Sequence, residues 1–340
     1  MLKHYYPTEE GTWTGRVDST TDYEAFRWHQ WIKYIDLNDP SIEPFDGDFG
    51  IAVIGYCCDE GVKLNKGRPG AEKGPEHIRR ELMNIPCHFK PGLKLFDAGD
   101  VRGTDVPLME SQEALGAVVA KVLSLNLYPI VMGGGHEVAF GNYKGIMQHL
   151  KNTNRSDRLG IINFDAHFDI RPYHESASSG TMFRQIADER LAEGLSFNYY
   201  CLGIQQRGNT RQLFNTAKEL NVRYDLARDI TQEKLVDVFA SLDRFMKHND
   251  AIYVTICTDV FASAYAPGVS SAQPLGLQPW IVLTALKHIV RSEKMVSFDI
   301  AEVSPRFDRD NVTANLASTV IFHFVQELAA VHELDCEDFV

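Results

Sequence analysis

Short apolar runs recur along most of the chain and alternate with segments whose apolar residues are spaced three to four positions apart. The runs are rich in β-branched and aromatic residues and show little of the polar–apolar alternation of a half-exposed strand. They therefore predict strands that are buried on both faces, as in a parallel sheet covered by helices. These strands are predicted over residues 49–56, 128–134, 158–164, 198–204, 251–257 and 295–300.

The segments between the predicted strands have helical periodicity. Apolar residues within 113–125 fall on one stripe, and Pro279 suits the first position of the helix that follows it. Alternating strands and helices predict a three-layer α/β/α fold around a central parallel sheet. No linker-like stretch interrupts the alternation, so we expect residues 49–340 to form a single domain. Residues 1–48 are expected to pack on it as an N-terminal extension, with a helix near 22–34.

Composition excludes several classes of function. Of the 340 residues, 34 are Lys or Arg and 46 are Asp or Glu, so the formal net charge is −12. Such an acidic chain is a poor partner for nucleic-acid phosphates, and no apolar run approaches the length of a membrane span. The N-terminus lacks the apolar core of a signal peptide. The six cysteines include no C-x-x-C pair, so a structural zinc site is not expected, and most of them fit buried thiols in a reducing compartment. We therefore expect a soluble cytoplasmic protein with no nucleic-acid or membrane partner.

The segment Asp165-x-His167-x-Asp169 carries the clearest chemical signal in the chain. It directly follows the strand predicted over 158–164, and alternate residues of an extended segment project to one side. Two carboxylates and an imidazole would then face one point, which suits a hard or borderline divalent cation such as Mn²⁺. In the alternative interpretation, His167 is an ordinary core histidine and the aspartates cap a turn or a helix.

Three other predicted strand ends also carry candidate ligands. His136 follows three glycines, Asp259 lies just after the strand over 251–257, and Glu302 follows the last strand. In the alternative, the glycines only make a turn and His136 only begins a helix. The carboxyl ends of parallel strands meet at one edge of the sheet, where ligands bind. We therefore expect these residues to share a site with the Asp165–Asp169 segment.

The motifs at these strand ends resemble those of the ureohydrolase (arginase/agmatinase) family. The similar segments are GVKLNKGRPGAEKGP (61–75), GGGHE (133–137), NFDAHFD (163–169), TDVF with APG (258–268) and SFDIAEVSP (297–305). Within the family, the formimidoylglutamase branch is the most similar. That likeness rests on TWTGRVD (12–18), RWHQ (27–30), DIRP (169–172), SSGTMFRQ (178–185) and GIQQRGNT (203–210). The SGT segment lacks the histidine that arginases and agmatinases usually carry there.

The resemblance implies an arginase-like fold and a set of metal ligands for two Mn²⁺ ions. These ligands are His136, Asp165, His167, Asp169 and Asp259, with Asp165 bridging the ions. The resemblance also implies two catalytic residues. Glu302 would face the amidine or guanidinium end of the substrate, and Asp169 would also return a proton to the leaving amine.

Cys257 departs from the family's pattern. The family has a bridging aspartate two residues before the position of Asp259, and here that place is taken by Cys257. A thiolate is softer than Mn²⁺ prefers. Three outcomes remain open: a pair of ions bridged by Cys257, a weaker second site, or the loss of one metal.

The activity that the resemblance implies is hydrolysis of N-formimidoyl-L-glutamate to L-glutamate and formamide, a step of histidine degradation, by a hydroxide held at the metal. Arg171, Arg184 and Arg207 follow predicted strands and suit the two carboxylates of this anionic substrate. In the alternative they are surface residues in ion pairs. Two other functions stay open: guanidine hydrolysis of the agmatinase or arginase type, and a metal-poor, non-catalytic family member. We also expect the chain to form a homo-oligomer.

Overall fold

A ten-stranded sheet runs through the centre of the computed structural model, which describes residues 1–173 and 176–336. Eight strands form a parallel body in the spatial order β4 (Leu93–Arg102), β3 (Phe49–Cys57), β5 (Tyr128–Met132), β10 (Met295–Ala301), β9 (Ala251–Cys257), β6 (Leu159–Phe164), β7 (Asn198–Ile204) and β8 (Arg223–Leu226). Two short strands, β1 (Tyr5–Tyr6) and β2 (Lys33–Tyr34), pair with β4, and β1 is antiparallel to it. The sheet is therefore mostly parallel, as predicted.

Helices cover both faces of the sheet. One face carries α3 (Gly74–Leu82), α8 (Leu235–Lys247), α9 (Pro279–Val290) and α10 (Val312–Val331). The other face carries α4 (Leu108–Ser124), α5 (Val138–Asn152), α6 (Met182–Ala192) and α7 (Arg211–Glu219), while α1 (Trp28–Trp31) and α2 (Glu60–Leu64) are short. Successive residues of β3 show the division, because Val53 packs with the first set of helices and Ile54 with the second. The three-layer α/β/α prediction is confirmed.

The prediction of a helix near residues 22–34 is wrong. The chain there forms a single 3₁₀ turn at Tyr23–Ala25, then the one-turn α1, and then β2. Two of its backbone groups bond to another segment: Trp28 N–H donates to the Ile85 carbonyl at 2.8 Å, and the Phe26 carbonyl accepts from Cys87 N–H at 2.9 Å. A helix over this segment would break those bonds.

Strand β4 was not among the predicted strands, because two aspartates, Asp97 and Asp100, interrupt its apolar pattern. Asp97 is fully buried within β4, where Arg79 Nε donates to its Oδ2 at 2.8 Å. Arg79 also donates to Asp100 Oδ1 at 2.6 Å. The N-terminal segment adds Trp13 Nε1 and Thr8 Oγ1, each 2.7 Å from an Asp97 oxygen. The buried Arg79 guanidinium thus neutralises the Asp97 carboxylate within the strand. The same carboxylate binds the N-terminal segment to the sheet through Trp13 and Thr8.

Helix α10 is the one described helix that is long and apolar enough to meet the criterion for a membrane span. An 18-residue stretch of this 20-residue helix has a mean hydropathy of 1.2, and half of that stretch is buried inside the protein. Its buried residues, among them Ile321 and Phe324, belong to the apolar cluster shared with α3 and α9. This packing is that of a core helix.

We predict that Asp97→Ala lowers the free energy of unfolding by about 3–5 kcal/mol, because it removes the fully buried partner of the Arg79 guanidinium and leaves Asp100 as its remaining carboxylate. Urea unfolding followed by circular dichroism measures the effect. The matched control is Asp250→Ala, which removes the partner of Arg158 from an exposed ion pair and should cost much less. Equal losses in the two variants would contradict the structural role given to Asp97.

Candidate metal centre

Four neighbouring strands deliver the site residues to one edge of the sheet. Strands β5, β10, β9 and β6 are consecutive in the sheet and parallel, so their carboxyl ends lie side by side. Each strand end supplies at least one candidate residue: His136 after β5; Asp165, His167 and Asp169 after β6; Cys257 and Asp259 at the end of β9; and Glu302 after β10. The sheet thus assembles residues that are up to 166 positions apart in the chain.

The potential ligands form two groups that share Asp165. The ligand atoms of His136, Asp165 and Cys257 lie within 4.8 Å of one another, and so do those of Asp165, His167 and Asp259. Asp169 joins the first group, because its Oδ2 is 3.2 Å from His136 Nδ1. The six residues proposed from the sequence as ligands therefore lie together, with Asp165 between two adjacent positions for an ion.

Imidazole–carboxylate contacts hold the two groups in shape. His136 Nδ1 lies 3.0 Å from Asp165 Oδ2, and His167 Nδ1 lies 3.0 Å from Asp259 Oδ2. Asp165 is also oriented by the His167 backbone N–H at 2.7 Å and by Asn163 Nδ2 at 3.2 Å. The two oxygens of Asp165 consequently point to different histidines, which is the arrangement that a bridging carboxylate requires.

Burial and neighbouring charges shift the pKa values of the acidic and imidazole groups in the cluster. Burial raises the pKa of Asp169 to about 6, and the neighbouring charge of Asp165 adds to the effect. Burial also raises the pKa of Glu302 to about 8, and the charge of Glu137 contributes. For His136, burial alone would lower the pKa, but hydrogen bonds to Asp165 and Asp169 outweigh it and raise the pKa well above the usual value. Oxygen and imidazole donors fit a divalent cation, which would displace protons from them on binding.

Two of the site carboxylates sit on backbone in the left-handed region. Asp169 has φ 50° and Glu302 has φ 68°, a conformation that costs a non-glycine residue about 1 kcal/mol or more. The Asp169 carbonyl accepts from Phe183 N–H at 3.2 Å, and Glu302 N–H donates to the Gly134 carbonyl at 2.8 Å. Strained backbone that is held by such bonds is common where side chains must be aimed at a site.

Close packing explains the run of glycines before His136. A Cβ added to Gly134 would lie 1.9 Å from the carbonyl oxygen of Cys58, so no side chain fits there. The turn then presents His136 N–H to Glu302 Oε1 at 2.9 Å. Glycine at position 134 is therefore required by the approach of the β3 end to the β5 end.

Thr255 and Asp299, which contact the far side of His136, were not predicted from the sequence. Thr255 Oγ1 lies 2.9 Å from His136 Nε2 and donates to Asp299 Oδ1 at 2.5 Å. The hydroxyl thus accepts from Nε2–H, which leaves Nδ1 facing the cluster as a ligand atom. Tyr253 and Asn142 donate to the other oxygen of Asp299. Thr255 and Asp299 are direct partners in the β9–β10 register, which no local motif discloses.

A cavity of about 160 Å³ opens over the cluster. Besides the ligands and Glu302, its lining includes Arg171 and several small polar side chains: Asn65, Ser179, Ser270 and Ser271. Arg184 lies on α6 outside this lining, with its Nε 2.9 Å from Asp188 Oδ1. Arg207 is exposed on the loop after β7. Of the three arginines proposed from the sequence, the described structure brings Arg171 alone to the cavity.

The sequence that forms this site also matches known proteins. The model of the arginase family matches residues 49–326 of the chain. The chain belongs to the arginase family. Among its arginase-family relatives, the formimidoylglutamase of Clostridium tetani is 55% identical over 332 residues, which are 97% of this chain and 98% of that protein. The formimidoylglutamase of Streptococcus pyogenes is 41% identical over 331 residues, 97% of this chain and 99% of that protein.

Solved structures of the arginase family share the fold. The formimidoylglutamase of Bacillus subtilis aligns with a TM-score of 0.76 over 95% of this chain and 96% of its own, at 22% identity. The formiminoglutamase of Trypanosoma cruzi, solved with Mn²⁺₂, aligns with a TM-score of 0.73 over 83% of this chain and 94% of its own, at 25% identity. The fold predicted from the sequence is thus confirmed as arginase-like.

We predict that Thr255→Val weakens Mn²⁺ binding by about 10–100-fold, the usual cost of losing a residue that orients a metal-bound histidine. Valine matches threonine in shape but cannot connect His136 to Asp299. Thr255→Ser keeps the hydroxyl and is the matched control. Calorimetric Mn²⁺ titration of both variants checks the prediction. Affinity retained in Thr255→Val would show that the hydroxyl does not orient His136.

Proposed function

We propose that this arginase-family chain hydrolyses N-formimidoyl-L-glutamate to L-glutamate and formamide, a step of histidine degradation. The observation that carries the proposal is the 55% identity to a formimidoylglutamase over 97% of the chain. The cavity supports it, because an acidic ligand cluster and Arg171 line the same small space. The reaction is cleavage of the C–N bond of a small linear amidine.

The proposed cofactor is Mn²⁺, with two ions expected. The first position is formed by His136, Asp165, Asp169 and Cys257, and the second by Asp165, His167 and Asp259. When bound, such ions supply a water acidic enough to act as a nucleophile at neutral pH and polarise the amidine. Asp165 belongs to both positions and would join them.

The protein's own groups would orient the amidine and move its protons. Glu302 lines the cavity and is fixed by the His136 backbone N–H, so its carboxyl can accept from the amidine N–H groups. Asp169 lines the same cavity beside His136. That position would let Asp169 pass a proton to the amine of glutamate as the C–N bond breaks, because it lies beside the cluster and lines the space that the substrate would occupy.

Charge at the other wall of the cavity favours a substrate with carboxylates. Arg171 and Asn65 both lie against Gly180, where an added Cβ would be 3.0 Å from Arg171 Cδ and 2.8 Å from Asn65 Oδ1. A guanidinium next to an amide can bind a carboxylate through two hydrogen bonds. Arg184 and Arg207 stay predictions as further carboxylate contacts.

We further propose that the protein is soluble, cytoplasmic and homo-oligomeric. Cys57, Cys58, Cys87, Cys201 and Cys257 are free thiols, which fits a reducing compartment. Light scattering after size-exclusion chromatography gives the oligomeric state, and a monomer at micromolar concentration would contradict that part of the proposal.

A product assay tests the activity itself. Mn²⁺-loaded protein is incubated with N-formimidoyl-L-glutamate, and formamide and glutamate are quantified; parallel reactions with arginine and agmatine are assayed for urea. We expect formamide and glutamate in equal amounts and no urea. Urea without formamide would replace the proposal by guanidine hydrolysis, and no product from any substrate would favour a non-catalytic family member.

We predict that Arg171→Ala raises KM for N-formimidoyl-L-glutamate by about 10–100-fold, since a charge-assisted hydrogen-bonded pair contributes about 1.5–3 kcal/mol. kcat should change little if the arginine binds substrate and transition state equally. Arg184→Ala and Arg207→Ala are measured beside it, and we expect smaller increases because neither residue lines the cavity. Unchanged KM in all three variants would remove the argument for an anionic substrate.

A further inference from the structure

Cys257 faces the ligand cluster. It is the last residue of β9, is 2% exposed and lines the cavity. It lies two positions after Thr255, so the two side chains project from the same face of the strand, and the Thr255 hydroxyl already contacts His136. The thiol therefore points to the side of the strand from which His136 and Asp165 are reached.

The surroundings of Cys257 differ from those of the other buried cysteines. Cys87, Cys201 and Cys58 each pack within one of the three apolar core clusters, whereas Cys257 belongs to none of them. Its sulfur instead lies within 4.8 Å of the ligand atoms of His136 and Asp165. Ligand atoms around a four-coordinate ion are about 3.5 Å apart, so modest side-chain adjustment closes this group on a metal.

The two ion positions consequently differ in donor chemistry. The thiol position is formed by His136, Asp165, Asp169 and Cys257, and the carboxylate position by Asp165, His167 and Asp259. Soft thiolate ligands select zinc and similar ions, whereas carboxylates suit Mn²⁺. The thiol at one position therefore gives the two positions, which share Asp165, different metal preferences.

We propose that Cys257 ligates the ion at the thiol position and that this position takes a thiophilic ion such as Zn²⁺ far more readily than Mn²⁺, while the carboxylate position accepts Mn²⁺. The working centre is then a mixed-metal pair, so this proposal replaces the Mn²⁺ that the family resemblance implies at the thiol position. This proposal rests on the proposed function only in requiring that both positions bind ions. It assigns to Cys257 a direct role in the choice of metal.

Cobalt spectroscopy tests the ligation without any assay of activity. Co²⁺ replaces zinc in thiolate sites, and a sulfur ligand adds an intense near-ultraviolet charge-transfer band. We expect this band to grow with one equivalent of Co²⁺ in the metal-free protein and to be absent from Cys257→Ser. Cys87→Ala is the control, since Cys87 lies in the apolar core, and it should keep the band. Circular dichroism establishes that each variant is folded.

Metal competition tests the preference. The metal-free protein is equilibrated with equal concentrations of Mn²⁺ and Zn²⁺, desalted, and analysed by mass spectrometry of its metal content. We expect the Zn²⁺-to-Mn²⁺ ratio to fall by about tenfold or more in Cys257→Asp, since changing a direct ligand should matter at least as much as changing a residue behind one. Manganese affinity should rise in the same variant.

The outcomes separate this proposal from the function on which it rests. Stoichiometric Co²⁺ binding without the band, or a band that persists in Cys257→Ser, overturns the role of Cys257 and leaves the hydrolase proposal standing. An unchanged metal ratio in folded Cys257→Asp overturns the preference. Failure of the wild-type protein to bind any divalent ion overturns both proposals.

Discussion

Negative charge that is buried at the carboxyl edge of the sheet is the constraint on which the site depends. Carboxyl groups from three adjacent strands crowd around two imidazoles: Asp165, Asp169, Asp259, Asp299 and Glu302. Burying charges without partners costs several kcal/mol each, and the raised pKa values of Asp169 and Glu302 reflect that cost. A divalent cation offsets it, so the need for metal follows from the way the fold concentrates acid.

The sequence predicted the buried strands well because apolar runs of parallel strands are a local signal. It failed where tertiary partners override local preference. Strand β4 contains Asp97, a residue type more common in turns than in strands. Arg79 donates to its carboxylate and makes its burial in the strand possible. The segment containing Trp28 was predicted as a helix, but its backbone bonds to the segment around Ile85. Both errors have one physical cause: the deciding hydrogen bonds join residues far apart in the chain.

The same distinction separates the predictable part of the site from the rest. Asp165, His167 and Asp169 are close in sequence and directly follow β6, so their neighbourhood could be predicted, although the segment is not a strand and Asp169 has φ 50°. The link from Thr255 to Asp299 needs the register of β9 against β10, which the sequence does not disclose. Arg184 is a local case by contrast, because it pairs with Asp188 one helical turn away, a spacing at which helical side chains meet.

The charge balance explains why a cysteine can stand where the family pattern has a carboxylate. A ligating cysteine is a thiolate, so it carries the same single negative charge as the aspartate it replaces. The cluster therefore keeps its net attraction for divalent cations, and only the softness of one donor changes. Asp165 still reaches both positions through its two oxygens. Substitution at 257 thus acts on which ion is held, whereas the surrounding carboxylates determine that ions are held at all.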